Sequence, residues 1–486
     1  MLLAVCLLAA AATVPPALTS MVPVPPTDPH IGLTGRFTTL DGGAAFDNAG
    51  SSVELTVQGP GLVQFVLRRQ RGVEAPNRWV LPYSEWAEPS LLGGAETVAL
   101  GASLLKCAPT TFKNDTDYHS GKGLGHAPGN SPMDCCQQCS NATWQAKGCR
   151  YFTFSPPSRG DACWFKASDA GKRAFPGAIS GDVWGSGPPP PPPPPPANQD
   201  SFYVLVDGVV VASFDTTSAT MTCNITVPSE PVSLPAGTHS VRLFKTTEAD
   251  WNQQPTTPSA VVLDEVLTDA TLLPLPVPAT DHRIEFVGDS ITAGFCNMLG
   301  NNTAPFTPVQ GGESYYFSWA NQVCQGLNAT CHAIVKSGFG MVRNLLPGPA
   351  MPELWRRTLA SNPIDDWDFS SWVPNAVVIN LGTNDHGHPG DQPYTDTYYE
   401  FGLNVTRRYG KNVSLFLACG PMTTSYCPVM SNLTAKFTAN GFKAYFVELK
   451  SDKKAGTGGC CSHPCARAER GLAATVTAVI KKSMGW

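Results

Sequence analysis

The sequence predicts a three-layer α/β domain over residues 281–486, preceded by an all-β jelly-roll sandwich that a small disulfide-rich segment interrupts. Three observations carry this expectation. Buried-type apolar strands alternate with helical segments beyond residue 281, short alternating strands parted by turn signals fill both 29–106 and 198–278, and six cysteines crowd 107–187 between them. A chain of 486 residues exceeds what one hydrophobic core usually organises, so several domains are expected.

From the N-terminus, residues 2–14 (LLAVCLLAAAATV) form an apolar stretch followed by small residues and prolines, which reads as a signal peptide spanning 1–20. The stretch is too short to cross a bilayer, and no later segment reaches eighteen nearly continuous apolar residues, so no membrane anchor is expected. VELTV (53–57) and LVQFVLR (62–68) read as two strands broken by a turn signal, GPG at 59–61. FYVLVDGVVVASF (202–214) reads as strand, Asp-Gly turn, strand, and LPAGTHSVRLFKTT (234–247) adds a Gly-containing turn and another alternating strand. Strands returning at such spacing cover one another in a sandwich.

The segment 107–187 has a different composition. Cys107, Cys135, Cys136, Cys139, Cys149 and Cys163 suffice for three disulfides, which a module this small and poor in aliphatic residues needs. Zinc is the other reading of Cys136-x2-Cys139, but the cluster lacks a regular second half. Nine prolines at 188–196 follow, a polyproline II spacer about 28 Å long when fully extended. The simplest topology is one β-domain, 29–106 and 198–278, with the cysteine-rich module in a loop.

Beyond 281, RIEFVG (283–288), NAVVINLG (375–382), VSLFLACG (413–420) and FKAYFVEL (442–449) read as buried strands, and 315–327 and Ala466 to Lys482 read as helices. Such alternation indicates a parallel sheet covered on both faces, with chemistry in loops at the C-terminal edges of its strands.

A formal charge of -5 and the lack of a long Lys/Arg run give no electrostatic reason to expect nucleic acid. Eight glycosylation sequons, at Asn114, Asn141, Asn224, Asn301, Asn328, Asn404, Asn412 and Asn432, fit a secreted glycoprotein. Sixteen cysteines, fifteen beyond the leader, fit an oxidising compartment, and their odd number leaves one thiol free or paired between chains. The glycan load and the proline spacer make a monomer the simpler expectation.

Three motifs fall at strand ends. Gly288-Asp289-Ser290 follows the first strand of the α/β segment, where a serine on a strand-to-helix turn is held exposed beside backbone N–H groups. Gly382-Thr383-Asn384-Asp385 follows NAVVINLG; there Asn384 can offer an amide N–H to a developing oxyanion while Asp385 braces the loop. Ser462-His463-Pro464 precedes the last helix in a Cys/Gly-rich loop rather than on an apolar stripe. A serine hydroxyl is a poor nucleophile at its free pKa, so a histidine titrating near neutrality must accept its proton.

RIEFVGDSITAGF, SGFGMVRN (337–344), INLGTNDHG (379–387) and SHP resemble, in this order, the four blocks of the SGNH (GDSL-type) hydrolase superfamily. The resemblance is closer to carbohydrate esterase family 2, whose members join a jelly roll to an SGNH domain; GRFTTLDGGAAFDNAGSSVELTVQG (35–59) and VLVDGVVV (204–211) resemble that jelly roll. DCCQQCSNATWQAKGCRYFTF and ACWFK resemble a PAN/apple-type module, which implies a protein or glycan ligand for the insert. The family resemblance implies Ser290 as nucleophile, His463 as general base, and an oxyanion hole made by the N–H groups of Ser290 and Gly338 with the Asn384 side chain; Asp289 and Asp385 are supporting residues. Neither metal nor other cofactor is called for.

One departure matters. Most of the superfamily place an aspartate three residues before the histidine, and here that position is Cys460. The expectation is a Ser-His dyad with a backbone carbonyl orienting the imidazole, with Asp452 or another carboxylate as the group that could otherwise reach it. Cys460, Cys461 and Cys465 surround His463, which suggests a disulfide-shaped loop rather than a metal site. The resemblance implies removal of O-acetyl groups from a polysaccharide such as xylan or a mannan. A non-carbohydrate ester, a silent glycan-binding fold and O-acetyl transfer are the other readings. Tyr315, Tyr316, Trp319, Trp367 and Trp372 could stack on sugar rings, though core packing is the expectation for most of them.

Overall fold

The computed structural model describes residues 21–69, 113–118, 123–129, 131–141, 143–144, 147, 149, 151–155, 162–167, 172–182, 199–217, 225–249, 260–299, 312–345, 348–362, 366–385, 392–450, 459 and 462–486. The leader expected at 1–20, the proline run at 188–196, Cys107, Asn224 and Asn301 lie outside the described residues, as does the side chain of Asn114.

A curled antiparallel sheet of ten strands forms the first region. Its backbone is the pairing of β1 (Ser52–Arg69) with β4 (Ile225–Lys245); β2 (Gln199–Val206) and β3 (Val209–Thr217) extend it on one side and β5 (Val261–Thr268) on the other. Val53, Val57, Phe65, Val204, Leu243 and Leu263 fill the interior. Asp207 and Gly208, with φ of 50° and 77°, make the hairpin between β2 and β3, the turn that Asp-Gly favours there. The turn expected at Gly59-Pro60-Gly61 is not one: β1 runs straight through it, and β4 likewise continues through the Pro235–Gly237 segment expected to turn. Glycine is required for close approach instead. A Cβ on Gly59 would lie 2.1 Å from the Pro235 carbonyl oxygen, and one on Gly61 2.6 Å from the Ala270 Cβ. The pairing is irregular between Leu234 and Gly237, where β4 carries one residue more than β1.

A separate five-stranded antiparallel sheet lies between β1 and β2 in the chain, with a helix at Pro132–Ser140 capped by the Ser131 hydroxyl. Cys135–Cys163 and Cys139–Cys149 staple it, and Cys136 is also disulfide-bonded.

The third region is a five-stranded parallel sheet in the order β7-β6-β8-β9-β10, where β6 is Arg283–Gly288, β7 Thr330–Val335, β8 Ala376–Asn380, β9 Ser414–Cys419 and β10 Ala444–Glu448. Alternate side chains of these strands feed two cores. Phe286, Val378 and Phe416 pack with α1 (Trp319–Gly326) and α4 (Ala466–Met484), whereas Val287, Ile379 and Leu417 pack with α2 (Gln392–Tyr409) and α3 (Cys427–Ala439). Burial on both faces explains why these strands read as continuous apolar runs.

The regions are bound by buried polar contacts. Arg36, fully buried, donates to Glu285 at 2.8 Å and to the Trp355 and Arg357 carbonyls, while Glu285 also accepts from Trp355 Nε1 at 2.6 Å and the Tyr409 hydroxyl at 2.9 Å. Asp47 accepts from the N–H groups of Ala360 and Ser361. The core of the cysteine-rich sheet runs into the α1/α4 core; the Arg470 guanidinium of α4 lies 4.6 Å from the Phe154 ring centroid and donates to the Ser155 carbonyl. Among the described residues, no helix is long and apolar enough to cross a membrane.

Candidate active site

Ser290 opens a four-residue helix immediately after β6. Asp289 caps it, its Oδ1 accepting the Ile291 N–H at 3.0 Å, so the tight turn presents the serine at the C-terminal edge of the sheet. His463 arrives from 173 residues downstream, just before α4, and its Nε2 lies 2.7 Å from Ser290 Oγ. With Nε2 unprotonated, the hydroxyl donates to it. Both residues are buried, and the Phe295 ring meets the imidazole edge to face with centroids 5.0 Å apart.

The histidine loop is shaped by backbone contacts. Ser462 is left-handed with φ of 63°, the Gly459 N–H donates to the His463 carbonyl, and the Ala466 N–H donates to the Asn297 carbonyl beside the nucleophile turn. Among the described residues Cys465 is a free, buried thiol at the N-terminal end of α4. Cys296, six residues beyond Ser290, is disulfide-bonded. Cys460, Cys461 and Asp452 lie outside the described residues.

The loop after β7 brings Gly338 alongside, with φ of 77°, a conformation that glycine adopts without Cβ strain. Asn384, from the loop after β8, sits between this loop and the nucleophile turn: its Nδ2 donates to the Phe339 carbonyl at 2.7 Å and lies 3.5 Å from Asp289 Oδ2. Asp385 accepts from three successive backbone groups, Met341 N–H at 2.8 Å, Val342 N–H at 2.8 Å and Arg343 N–H at 2.9 Å, a fixed brace for the glycine loop. Burial pushes both carboxyl groups up. Desolvation raises Asp289 to about 7, with Asp385 and Glu248 adding to the rise and the Ile291 N–H opposing it. In Asp385 desolvation outweighs the three N–H donors.

Of the aromatic residues, Tyr315, Tyr316 and Trp319 are buried in the core. Trp367 and Trp372 pack around His332, which is level with Glu285 in the N-terminal half of the sheet and therefore away from the edge that carries Ser290. Two residues near the site escaped sequence reasoning. Phe295 lies within the first block as an ordinary apolar position, and Glu248 belongs to the β-region yet accepts the Ser337 N–H beside Gly338; no local pattern marks a contact between residues 89 apart.

No family model matches the chain. It is 31% identical over 296 residues to the cellulase/esterase CelE of Acetivibrio thermocellus, an alignment covering 59% of this chain and 34% of that protein. It is 27% identical over 227 residues to an acetylxylan esterase/glucomannan deacetylase of Cellvibrio japonicus, covering 46% of this chain and 55% of that one. The chain thus spans about a third and about half the length of these two curated relatives, and it is homologous to them over the aligned residues. The fold matches that of a family two carbohydrate esterase from Clostridium thermocellum solved in complex with cellohexaose, at a TM-score of 0.60 and 22% identity over 94% of this chain and 99% of that one.

Proposed function

We propose that this protein is a secreted serine esterase of the SGNH type that removes O-acetyl groups from a polysaccharide of the xylan or mannan kind. The observation that carries the reading is the 2.7 Å contact of Ser290 Oγ with His463 Nε2 at the C-terminal edge of the parallel sheet. The homology to two esterases, one of them named for acetylxylan and glucomannan, supports it.

In the proposed reaction Ser290 Oγ attacks the acetyl carbonyl carbon as its proton passes to His463 Nε2. The oxyanion is received by the N–H groups of Ser290 and Gly338 and by Asn384, whose second amide proton makes only the long contact to Asp289. The acyl carbon–oxygen bond to the sugar then breaks, His463 returns its proton to the departing hydroxyl, and water activated by the same imidazole releases acetate from the acyl-serine. These steps call for no metal or other cofactor. The β-region is the jelly roll of carbohydrate esterase family 2, forming one wall of the substrate cleft, and the cysteine-rich sheet is a PAN/apple-like module with a glycan or protein ligand. Exposed sequons at Asn141, Asn328, Asn412 and Asn432 fit a glycosylated, secreted protein.

The test is acetate release from acetylated xylan and from a small aryl acetate, with Ser290→Ala alongside. Wild-type protein is expected to release acetate from both, and the substitution to lower both rates more than about 1,000-fold. Release from the aryl acetate alone removes the polysaccharide assignment; release that survives Ser290→Ala removes the mechanism.

A further inference from the structure

The glycine loop is held from two sides, and only one belongs to the α/β region. On one side stands Asp385. On the other, Glu248, 2% exposed and three residues past the end of β4, places Oε2 2.6 Å from the Ser337 nitrogen and accepts its N–H. The Glu248 carboxylate also lies 3.7 Å from Lys336 Nζ, which itself donates to the Ala249 carbonyl. Lys336 and Ser337 directly precede Gly338, and the Lys336 N–H donates to the Gly288 carbonyl at the end of the nucleophile strand. Glu248 is fixed in turn. Its own N–H donates to Glu313 Oε1 at 2.7 Å, and the buried Lys245 ammonium, paired with Asp200 at 2.8 Å, donates to the Thr247 and Glu248 carbonyls.

We infer that Glu248 is a positioning residue for the oxyanion hole: through the Ser337 N–H it fixes the peptide that aims the Gly338 N–H, so the β-region completes the reaction centre of the α/β region. The inference rests on the esterase reading. A donor displaced by a fraction of an ångström stabilises the developing charge less while leaving ground-state binding almost untouched, so the loss falls on kcat.

The experiment compares Glu248→Ala, Glu248→Asp and Glu248→Gln with wild type on a small aryl acetate. Affinity for phenylboronic acid, which forms a tetrahedral adduct on a nucleophilic serine, is measured in parallel, with thermal melts to check folding. Glu248→Ala is expected to lower kcat about 10- to 100-fold with KM within about twofold, and to weaken the boronate by a similar factor. Gln keeps an oxygen at the same reach for the Ser337 N–H, whereas Asp keeps the charge but withdraws the acceptor. The expected order of kcat is therefore Glu, Gln, Asp, Ala, with Gln within about threefold of wild type and Asp down about tenfold. The order Asp above Gln would assign Glu248 to charge pairing alone, and a folded Glu248→Ala with wild-type kcat, or with a raised KM only, overturns the inference. If Glu248→Ala gives no cooperative melt, the Gln and Asp pair decides. Wild-type protein that binds boronate without releasing acetate sinks the esterase reading while the Glu248 comparison is still read from the boronate; failure of both removes the two proposals together.

Discussion

Asp289 lies behind the nucleophile in a site that disfavours its charge. Its carboxyl titrates near 7 in the folded protein against 3.8 for the ordinary group, so between these values the native state holds the extra proton. The sign follows: this group's contribution is most favourable below about 4, falls as pH rises, and is fully unfavourable above about 7. Asp289→Asn keeps an oxygen to cap Ile291 N–H and removes the titration. The variant is therefore expected to gain on wild type as pH rises, its Tm difference improving by several degrees, on the order of 3–6 °C, between pH 5 and pH 8. Thermal melts at the two pH values check this, and a pH-independent difference would show that Asp289 does not carry the proton. Ser290, Asn384 and His463 were legible because each sits in a short block with its own chemistry. Glu248 was not, because long-range acceptors leave no periodic trace.

At the level of elements, the loop following β7 depends on Asp385 as much as on its own glycines. Asp385→Ala would leave three N–H groups without their acceptor, and a loss of more than about 2 kcal/mol of stability is expected together with a fall in kcat of at least tenfold. Denaturant melts and aryl acetate kinetics separate the two effects; an unchanged kcat in a destabilised protein would make the brace purely structural. The strands β6, β8 and β9 were readable as apolar runs because both their faces are buried, and β10 because its side chains feed both cores although several stay partly exposed. The strand β7 was not recognised, its TCHAIV carrying a histidine that stacks on Trp372 and a cysteine bridged to Cys324. Helix α2 was hidden by its β-branched and aromatic residues and by Gly402, where a Cβ would meet the Phe437 ring at 2.4 Å. Gly59-Pro60-Gly61 misled for the converse reason: a glycine that admits a neighbouring backbone looks the same in sequence as one that turns the chain.

For the molecule as a whole, the Arg36–Glu285 pair joins the β-region to the centre of the parallel sheet with both side chains withdrawn from water. Arg36→Met removes one partner and leaves a buried carboxylate with two neutral donors, Trp355 and Tyr409; a cost of about 3–5 kcal/mol is expected. Differential scanning calorimetry is expected to show one transition for the wild type and two for the variant as the two regions uncouple, whereas one sharp transition of the variant at the wild-type Tm would mean that the pair contributes little. The broad plan, an antiparallel region interrupted by a cysteine-rich segment and followed by a parallel one, was legible because composition changes sharply at its borders. How the three regions meet was not, since Arg36, Asp47 and Arg470 are ordinary polar residues until the fold assembles their partners. The contact of the cysteine-rich sheet with α4 sets an order on biosynthesis. That sheet is made early and is covered by its own helix at Pro132–Ser140, yet Arg470 of α4, which lies over the Phe154 ring and donates to the Ser155 carbonyl, is translated some 300 residues later. Docking of the cysteine-rich sheet on the α/β region is thereby coupled to completion of nearly the whole chain, and a chain ending before α4 is expected to form the sheet without this contact.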